Sequence, residues 1–244
     1  MSLEQLQKMI KEAKELVAFT GAGISAESGI PTYRGSDGVW HRFDPDKFAN
    51  INQFHKDPAY YWQFFQEVRY PALAEAQPGQ THSILAQLEQ KGHLTAVITQ
   101  NIDGLHQAAG SSNVLELHGT SRSFHCMHCR QQYSMQETWH LVQENLPAKC
   151  PQCGALIRPD TVMFGEALPA DVLQQASRKA ENCDLFLALG SSLLVQPAAS
   201  LPLIAKKNKA GLVIINMDET PLDSEADLVF HSSAGEILTK AVED

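Results

Sequence analysis

Four of the five cysteines form two matched pairs whose spacing suits a metal ion. The pairs are Cys126-x-x-Cys129 and Cys150-x-x-Cys153, with 20 residues between them. Each pair turns two thiolates towards one point, and four thiolates satisfy a tetrahedral Zn²⁺ without leaving an open coordination position. We therefore expect one structural zinc ion that takes no part in catalysis. The alternatives are two disulfides, a redox dithiol, or a site in which an adjacent histidine replaces one cysteine.

A glycine turn follows the apolar run Leu16–Phe19. Gly21, Gly23 and Ala26 have the spacing G-x-G-x-x-A of a dinucleotide-binding turn, in which backbone N–H groups approach a pyrophosphate because glycine has no Cβ. A dehydrogenase would place an acidic residue about 20 residues further on to bind the ribose. Residues 28–35 instead contain glycine, proline and polar side chains, which predicts a loop. The turn thus favours a dinucleotide site without hydride transfer; the alternative is an ordinary strand-to-helix turn.

Polar residues and glycines also follow four other apolar runs at the point where each run ends. They are Gln100, Asn101 and Asp103 after Leu94–Thr99, His118 after Val114–Leu117, Gly190, Ser191 and Ser192 after Leu185–Leu189, and Asn216 after Leu212–Ile215. Because the carboxyl ends of parallel strands meet at one edge of a sheet, we expect these residues to share one ligand site. A histidine at such an edge can act as a general base. The alternative is that each of these residues separately caps a helix or forms a turn.

The elements that must position these residues alternate between strand and helix. The five apolar runs are short and bounded by turn residues, as in strands buried on both faces. Helical stretches are predicted at 81–90, 169–180 and 197–207, and the spacing of apolar residues predicts an amphipathic helix at the N-terminus. This alternation predicts a doubly wound parallel α/β sheet.

Composition restricts the class of protein. The chain has 244 residues, 43% hydrophobic and 19% charged, which suits one large domain or one domain with an insert. Its net charge of −9 argues against a general nucleic-acid binder, whose footprint is basic. No apolar run approaches the roughly 20 residues that span a bilayer, and the N-terminus lacks the apolar core of a secretion signal. We expect a cytoplasmic protein without membrane contact.

The order of the motifs along the chain resembles that of the sirtuin family. The motifs are GAGIS, YRG, TQNID, LHG, the two C-x-x-C pairs, VMFGE, GSS and IN. The resemblance extends from about Lys11 to Glu236, and the short termini resemble the compact bacterial and archaeal members. It implies a protein-lysine deacylase that consumes NAD⁺. It also implies a Rossmann-type sheet with a smaller zinc-binding lobe inserted, and an active site between them.

The implied domain organisation is a single catalytic domain, 1–244. Its large lobe would comprise about 1–35, 78–120 and 159–244, and its small lobe about 36–77, which is helical with a cofactor loop, and 121–158, the zinc ribbon. We expect a monomer that acts on acetyl-lysine proteins or peptides.

The resemblance also assigns roles to residues. NAD contacts would come from Ala22, Ala26, Tyr33 and Arg34 in the cofactor loop, from Gln100, Asn101, Ile102 and Asp103 in the nicotinamide and ribose pocket, and from Ser191, Ser192, Asn216 and Ala234 on the adenosine side, beside the turn glycines Gly21, Gly23 and Gly190. His118 would be the general base, and Asn101 would place water and the ribose. The substrate backbone would pair with Val162, Phe164, Gly165 and Glu166 as an added strand.

Acyl preference is implied by a second motif. Sirtuins that remove succinyl or malonyl groups carry Tyr-x-x-Arg, because a bidentate arginine holds the distal carboxylate. Here Phe65 and Val68 occupy those positions, and Arg69 is one residue out. We therefore expect a deacetylase that yields free lysine, nicotinamide and O-acetyl-ADP-ribose. The alternatives are a deacylase for other neutral acyl groups, a mono-ADP-ribosyltransferase, and a zinc-ribbon binding module, against which the acidic charge and polar strand ends count.

Overall fold

Two sheets form within the part of the chain that the computed structural model describes, residues 3–32 and 43–242. The strands are β1 (Leu16–Thr20), β2 (Leu94–Thr99), β3 (Val114–Glu116), β4 (Gly119–Cys126), β5 (Gln132–Ser134), β6 (Ile157–Thr161), β7 (Leu185–Leu189), β8 (Gly211–Ile215) and β9 (Leu228–Phe230). Tyr33 and Arg34, two of the predicted NAD contacts, lie outside the described residues.

Helices connect the strands. They are α1 (Leu3–Glu12), α2 (Gly23–Ala26), α3 (Pro45–Phe48), α4 (Ile51–Lys56), α5 (Pro58–Phe64), α6 (Tyr70–Glu75), α7 (Gln80–Gln90), α8 (Leu105–Ala108), α9 (Met135–Glu144), α10 (Ala170–Asn182), α11 (Leu201–Lys207) and α12 (Ala234–Val242). A π-helical turn, Phe65–Arg69, joins α5 to α6. Among these described helices none is long and apolar enough to cross a membrane.

The main sheet has the order β3-β2-β1-β7-β8-β9, and all its neighbouring strands are parallel. Counted within this sheet the order is 3-2-1-4-5-6, which is the Rossmann order and confirms the predicted fold class. Chain order reverses between β1 and β7, and sheets of this kind bind ligands in the crevice beyond that point. Thr20 pairs with both Thr99 and Leu189, so three strands end at the same level.

Apolar layers cover both faces of this sheet. Leu6, Leu85 and Leu238 pack on one face from α1, α7 and α12, and Ala176 and Leu201 pack on the other from α10 and α11. All residues of β1 and β7 are buried, which explains why both are apolar except for Thr20 at the end of β1.

The five predicted strands and the predicted helices are present. The third strand ends at Glu116, one residue earlier than expected, because the chain turns there into β4. Helices α7 and α10 occupy two of the predicted helical stretches, and α1 is the predicted N-terminal helix. In the third stretch, 197–207, a 3-10 turn at Ala198–Ser200 comes first, and α11 begins at Leu201. The sequence did not predict β9 or the second sheet, because their strands are short or largely polar.

The second sheet, β5-β4-β6, is antiparallel and packs against α4, α5 and the π-helical turn. Neighbouring rings of an aromatic cluster (Phe54, Tyr61, Trp62, Phe65 and Phe124) lie 5.2–5.8 Å apart between centroids. Residues on α4 and α5 therefore share a core with the cysteine-bearing segment. The lobe boundaries given above stay a prediction.

Candidate functional site

The four paired cysteines converge as the spacing predicts. Their sulfur atoms all lie within 4.8 Å of one another, with 3.4 Å between Cys126 and Cys153 and 3.6 Å between Cys129 and Cys150. Thiolates bound 2.3 Å from a tetrahedral zinc are about 3.8 Å apart, so this set fits zinc. The separations are far longer than the roughly 2.05 Å of a disulfide, which removes that alternative.

Both cysteine pairs are shaped by the same turn. The backbone N–H of Arg130 donates to Cys126 O at 3.1 Å, and that of Gly154 donates to Cys150 O at 2.9 Å. Both donors have positive φ, 62° and 74°. The neighbouring His125 is hydrogen-bonded to Asp160, and within the described residues the metal-ligand cluster contains cysteines alone. Four thiolates leave no position for substrate, so zinc here would be structural.

The glycine turn lies at the switch point of the main sheet. Gly21 N–H donates to Leu189 O, and Gly23 N–H donates to Gly190 O. A Cβ built on Gly21 would lie 2.7 Å from Gly190 O, and one on Gly23 would lie 2.8 Å from Gly190 Cα. The glycine pattern is therefore required by contact between two backbone turns, in addition to any approach of a pyrophosphate.

The loop after β2 is held against this turn by hydrogen bonds. Asn101 Nδ2 donates to Gly21 O and to Ser25 Oγ, both at 3.0 Å. Ser25 Oγ in turn donates to Asp103 Oδ2 at 2.7 Å, while Asp103 Oδ1 accepts the backbone N–H of Leu105. Asp103 is buried, and these bonds hold its carboxylate in one orientation.

His118 follows β3 at the same edge of the sheet. Its Nδ1 lies 3.0 Å from the backbone oxygen of Gln100. Because a carbonyl oxygen only accepts, Nδ1 carries the proton and Nε2 has a free lone pair. Burial lowers the pKa of His118, and the bond to Gln100 offsets this in part. The imidazole is therefore neutral at pH 7, as a general base must be.

The remaining predicted NAD residues extend across the carboxyl edge of the sheet. Gln100 Nε2 donates to Ser191 Oγ at 2.7 Å, which links the loops after β2 and β7. Asn216 Nδ2 donates to Asp218 O, and half-buried Ser192 follows Ser191. Ala234 is buried at the start of α12, and Ala26 is exposed at the end of α2.

One cavity extends from the glycine turn after β1 to the π-helical turn. Ala22, Asn101, Ile102 and Asp103 line it on one side, and Phe64, Val68 and Arg69 are among the residues that line it on the other. A larger cleft of about 380 Å³ lies at the amino edge of the sheet, beside Glu15 and Arg178, and contains no predicted site residue.

The two positions that match Tyr-x-x-Arg differ in their surroundings. Phe65 is fully buried in the aromatic cluster, whereas Val68 lines the cavity. Arg69 also lines it, and its guanidinium lies 5.0 Å from the ring centroid of Phe64. The position that an acyl-binding arginine would occupy is thus held by an apolar side chain.

The segment predicted to pair with substrate is already partly paired. Phe164 N–H donates to Ala49 O at 2.6 Å, and Phe164 O accepts from Ile51 N–H. Val162 N–H donates to His118 O, which joins this segment to the candidate base. The backbone groups of Phe164 are therefore engaged within the protein, while its side chain is 43% exposed.

Glu166 stabilises the turn that contains Gly165. Its carboxylate accepts two bonds of 2.8 Å from the Arg158 guanidinium, and it also accepts the backbone N–H of Met163. These contacts hold the pKa of Glu166 below its usual range, although burial opposes the shift. Gly165 has φ +91°, which favours glycine at that position.

Sequence reasoning missed Ser25 and Glu27. Ser25 lies inside the GAGIS motif and is fully engaged between Asn101 and Asp103. The Glu27 carboxylate accepts from the backbone of Thr81 at the start of α7 and from that of Gly235 at the start of α12. Glu27, which directly follows α2, therefore caps two helix N-termini. Glu27 lies three residues after Ile24, and no periodic sequence pattern at that position predicts this capping role.

Comparison with known proteins gives a consistent result. Residues 21–197 match the Sir2 family. NAD-dependent protein deacylase 1 of Archaeoglobus fulgidus is 46% identical over 239 residues, 98% of this chain and 96% of that protein. NAD-dependent protein deacetylase 1 of Pyrobaculum aerophilum is 46% identical over 241 residues, 99% and 94% of the two chains. A solved Sir2 structure with a deacetylated p53 peptide and 3′-O-acetyl ADP-ribose is 39% identical, with a TM-score of 0.94 over 98% of this chain and 97% of that one.

Proposed function

Because the chain belongs to the Sir2 family, we propose that it is an NAD-dependent protein-lysine deacetylase. The observation that carries the proposal is the position of His118, a neutral imidazole whose Nδ1 is bonded to Gln100 O, at the carboxyl edge of the sheet where Asn101 and Asp103 follow the neighbouring strand β2. Relatives named as deacylases and deacetylases support the reaction class.

The reaction begins with the loss of nicotinamide. NAD⁺ lies across the carboxyl ends of β1 and β7, with nicotinamide and its ribose near Asn101, Ile102 and Asp103. The acyl oxygen of acetyl-lysine attacks the anomeric carbon, and the bond from that carbon to the nicotinamide nitrogen breaks. The bonding pair leaves with nicotinamide, so the acetyl oxygen becomes bonded to ADP-ribose as an imidate.

His118 then acts on the ribose diol. Its Nε2 accepts a proton, and the 2′-oxygen attacks the imidate carbon. Cleavage of the carbon–nitrogen bond, with a proton transferred to the nitrogen, releases free lysine. Water then adds to the same carbon, and the bond from that carbon to the 1′-oxygen breaks to leave O-acetyl-ADP-ribose. Asn101 orients the ribose and the water. Ser191, Ser192, Asn216 and Ala234 contact the adenosine half, and the four-cysteine site holds one zinc ion that stabilises the second sheet.

Acetyl is the preferred acyl group. Val68 presents an apolar surface to the cavity, and buried Phe65 offers no hydroxyl group, so a distal carboxylate finds no Tyr-x-x-Arg pair. The substrate backbone adds to the Val162–Glu166 segment through groups other than the Phe164 amide and carbonyl, which are bonded to the 49–51 segment.

Acetyl-lysine proteins or peptides are the partners, and the enzyme is a monomer, a state that light scattering would measure. A cytoplasmic location suits four cysteine thiols that remain reduced to bind metal. A nuclear or extracellular location in fractionated cells would contradict it.

Mass spectrometry of reaction products tests the proposed function. Wild-type protein incubated with NAD⁺ and acetyl-, propionyl- and succinyl-lysine peptides should yield O-acetyl-ADP-ribose fastest. His118→Ala should yield none while retaining its circular dichroism and zinc content, and His140→Ala, at an exposed position on α9, should match wild type. ADP-ribose attached to protein would instead identify a mono-ADP-ribosyltransferase, and faster turnover of succinyl-lysine would overturn the acyl preference.

A further inference from the structure

Two buried histidines lie directly behind the candidate site and have no part in the reaction described above. His82 on α7 and His106 on α8 are 0% and 1% exposed, and their ring centroids are 4.8 Å apart at an angle of 60°. Imidazoles this deeply buried are costly unless their ring nitrogens serve as hydrogen-bonding groups.

The hydrogen bonds fix which nitrogen of each ring carries the proton. Gly79 N–H donates to His82 Nδ1, so His82 is protonated at Nε2. His106 Nε2 lies 2.9 Å from Thr20 Oγ1, and Thr20 Oγ1 donates its proton to Thr99 Oγ1 at 2.8 Å. His106 must therefore donate from Nε2, which leaves its Nδ1 as an acceptor.

This series of hydrogen bonds ends at the loop after β2, which contains Asn101. Thr99 Oγ1 also accepts the backbone N–H of Asn101 at 3.0 Å. The Asn101 side chain donates hydrogen bonds to Gly21 O and Ser25 Oγ. His106, Thr20 and Thr99 thus orient the backbone from which that side chain extends.

The remaining nitrogen of each ring makes no hydrogen bond. Among the described residues His82 Nε2, a donor, and His106 Nδ1, an acceptor, are buried without a hydrogen-bond partner. Burial lowers the pKa of His106 to about 3 and lowers that of His82, although nearby Asp103 and Glu27 oppose the second shift. Both rings are therefore neutral at physiological pH, and the tautomers assigned above are kept.

We propose that His106 is a positioning residue for deacetylation: its Nε2–H fixes the Thr20 hydroxyl, which with Thr99 holds Asn101, and His82 supports the ring from behind. The proposal rests on the proposed function, in which Asn101 orients the ribose and water. His106 itself touches neither substrate nor NAD⁺ in this arrangement. Its effect should appear in turnover more than in substrate affinity, because a displacement of about 1 Å at a reacting group costs on the order of a hundredfold in rate.

Paired substitutions separate positioning from simple packing. His106→Gln keeps a side-chain N–H donor near Nε2, whereas His106→Leu removes it at similar volume. Thr20→Ser keeps the hydroxyl group, whereas Thr20→Val removes it with the same shape. The measurements are kcat and the KM for NAD⁺ and acetyl-peptide, together with hydrogen exchange of the Asn101 backbone amide in the free protein.

We expect His106→Leu and Thr20→Val each to lose about tenfold to a hundredfold in kcat, with less than about threefold change in either KM. Asn101 amide protection should fall at least about tenfold while protection of the β7 amides is unchanged. His106→Gln and Thr20→Ser should recover most of both losses. Equal kcat in the paired variants, or unchanged Asn101 protection, would overturn the proposal. A wild-type protein that fails to deacetylate would refute the proposed function, while the exchange result, which needs no substrate, still decides whether the series holds Asn101.

Discussion

The backbone N–H of Gly23 donates to the carbonyl oxygen of Gly190 at 2.8 Å, which joins the turn after β1 to the turn after β7. A Cβ on Gly190 would lie 2.6 Å from the backbone nitrogen of Ile24, and Gly190 has φ +58°. The two turns that face the proposed dinucleotide therefore fix each other's position before any ligand binds.

Gly190→Ala should destabilise the protein by about 2–4 kcal/mol, because left-handed strain adds to a backbone clash. Gly92→Ala is the matched control, since Gly92 has φ +77° and open space around a Cβ. It should cost only about 1–2 kcal/mol, the strain alone. Urea unfolding measures both losses, and equal losses would show that the contact with the β1 turn contributes nothing.

The rate of deacetylation should decline on the acid side below pH 6.5. Burial lowers the pKa of His118, and only the neutral ring accepts a proton, so kcat/KM should fall about tenfold per pH unit below that lowered pKa. A pH–rate profile with an NAD⁺ concentration series measures this. An acid limb centred at or above pH 6.5 would contradict the assignment of His118 as base.

His106 should make the folded protein sensitive to acid. Its pKa is lowered to about 3, so below pH 6.5 the unfolded chain binds a proton that the folded protein does not. Stability is therefore lost as pH falls from 6.5 towards 3, at up to about 1.4 kcal/mol per pH unit from this group. The stability of His106→Gln should fall less steeply by about that slope between pH 6 and 4. Parallel stability curves from urea unfolding would show that burial of His106 imposes no such penalty.

Each chain should bind one zinc ion, and substitution of any one of the four cysteine ligands should abolish zinc binding. Cys129→Ser should bind little zinc and should lose the ordered second sheet, because the metal supplies folding free energy. Cys183→Ser is the control, since Cys183 is buried at the end of α10 outside the cysteine cluster. Elemental analysis with amide exchange measures both effects; full zinc content in Cys129→Ser would refute the four-cysteine site.

Glu166→Gln should weaken peptide binding through the turn it stabilises. Loss of the two charge-assisted bonds from Arg158 frees the Val162–Glu166 segment, so the peptide KM should rise about fivefold to tenfold while the KM for NAD⁺ is unchanged. The exposed pair of Glu236 with Lys240 provides the comparison, and Glu236→Gln should leave both constants as in wild type. An unaltered peptide KM in Glu166→Gln would separate this turn from substrate binding.

The sequence predicted the main sheet because strands such as Leu185–Leu189 are covered on both faces and so are apolar throughout. It did not predict β4, since Gly119–Cys126 alternates irregularly and its pairing with β6 shifts register between Thr120 and Phe124. The cysteine site was predictable because metal geometry restricts ligand spacing. The His82–His106 pair was not, because residues on separate helices meet only through the tertiary packing of α7 and α8.

The aromatic cluster also has a consequence for how the chain is made. Trp62 leaves the ribosome roughly 60 residues before Phe124, its neighbour in that cluster, and roughly 95 before Ile157 on β6. At a synthesis rate of about 5–20 residues per second, the Trp62 side chain is exposed for at least several seconds before the second sheet can cover it. Chaperone demand during synthesis should therefore be greatest before the second cysteine pair emerges, and zinc supply in the cell should govern yield as well as stability.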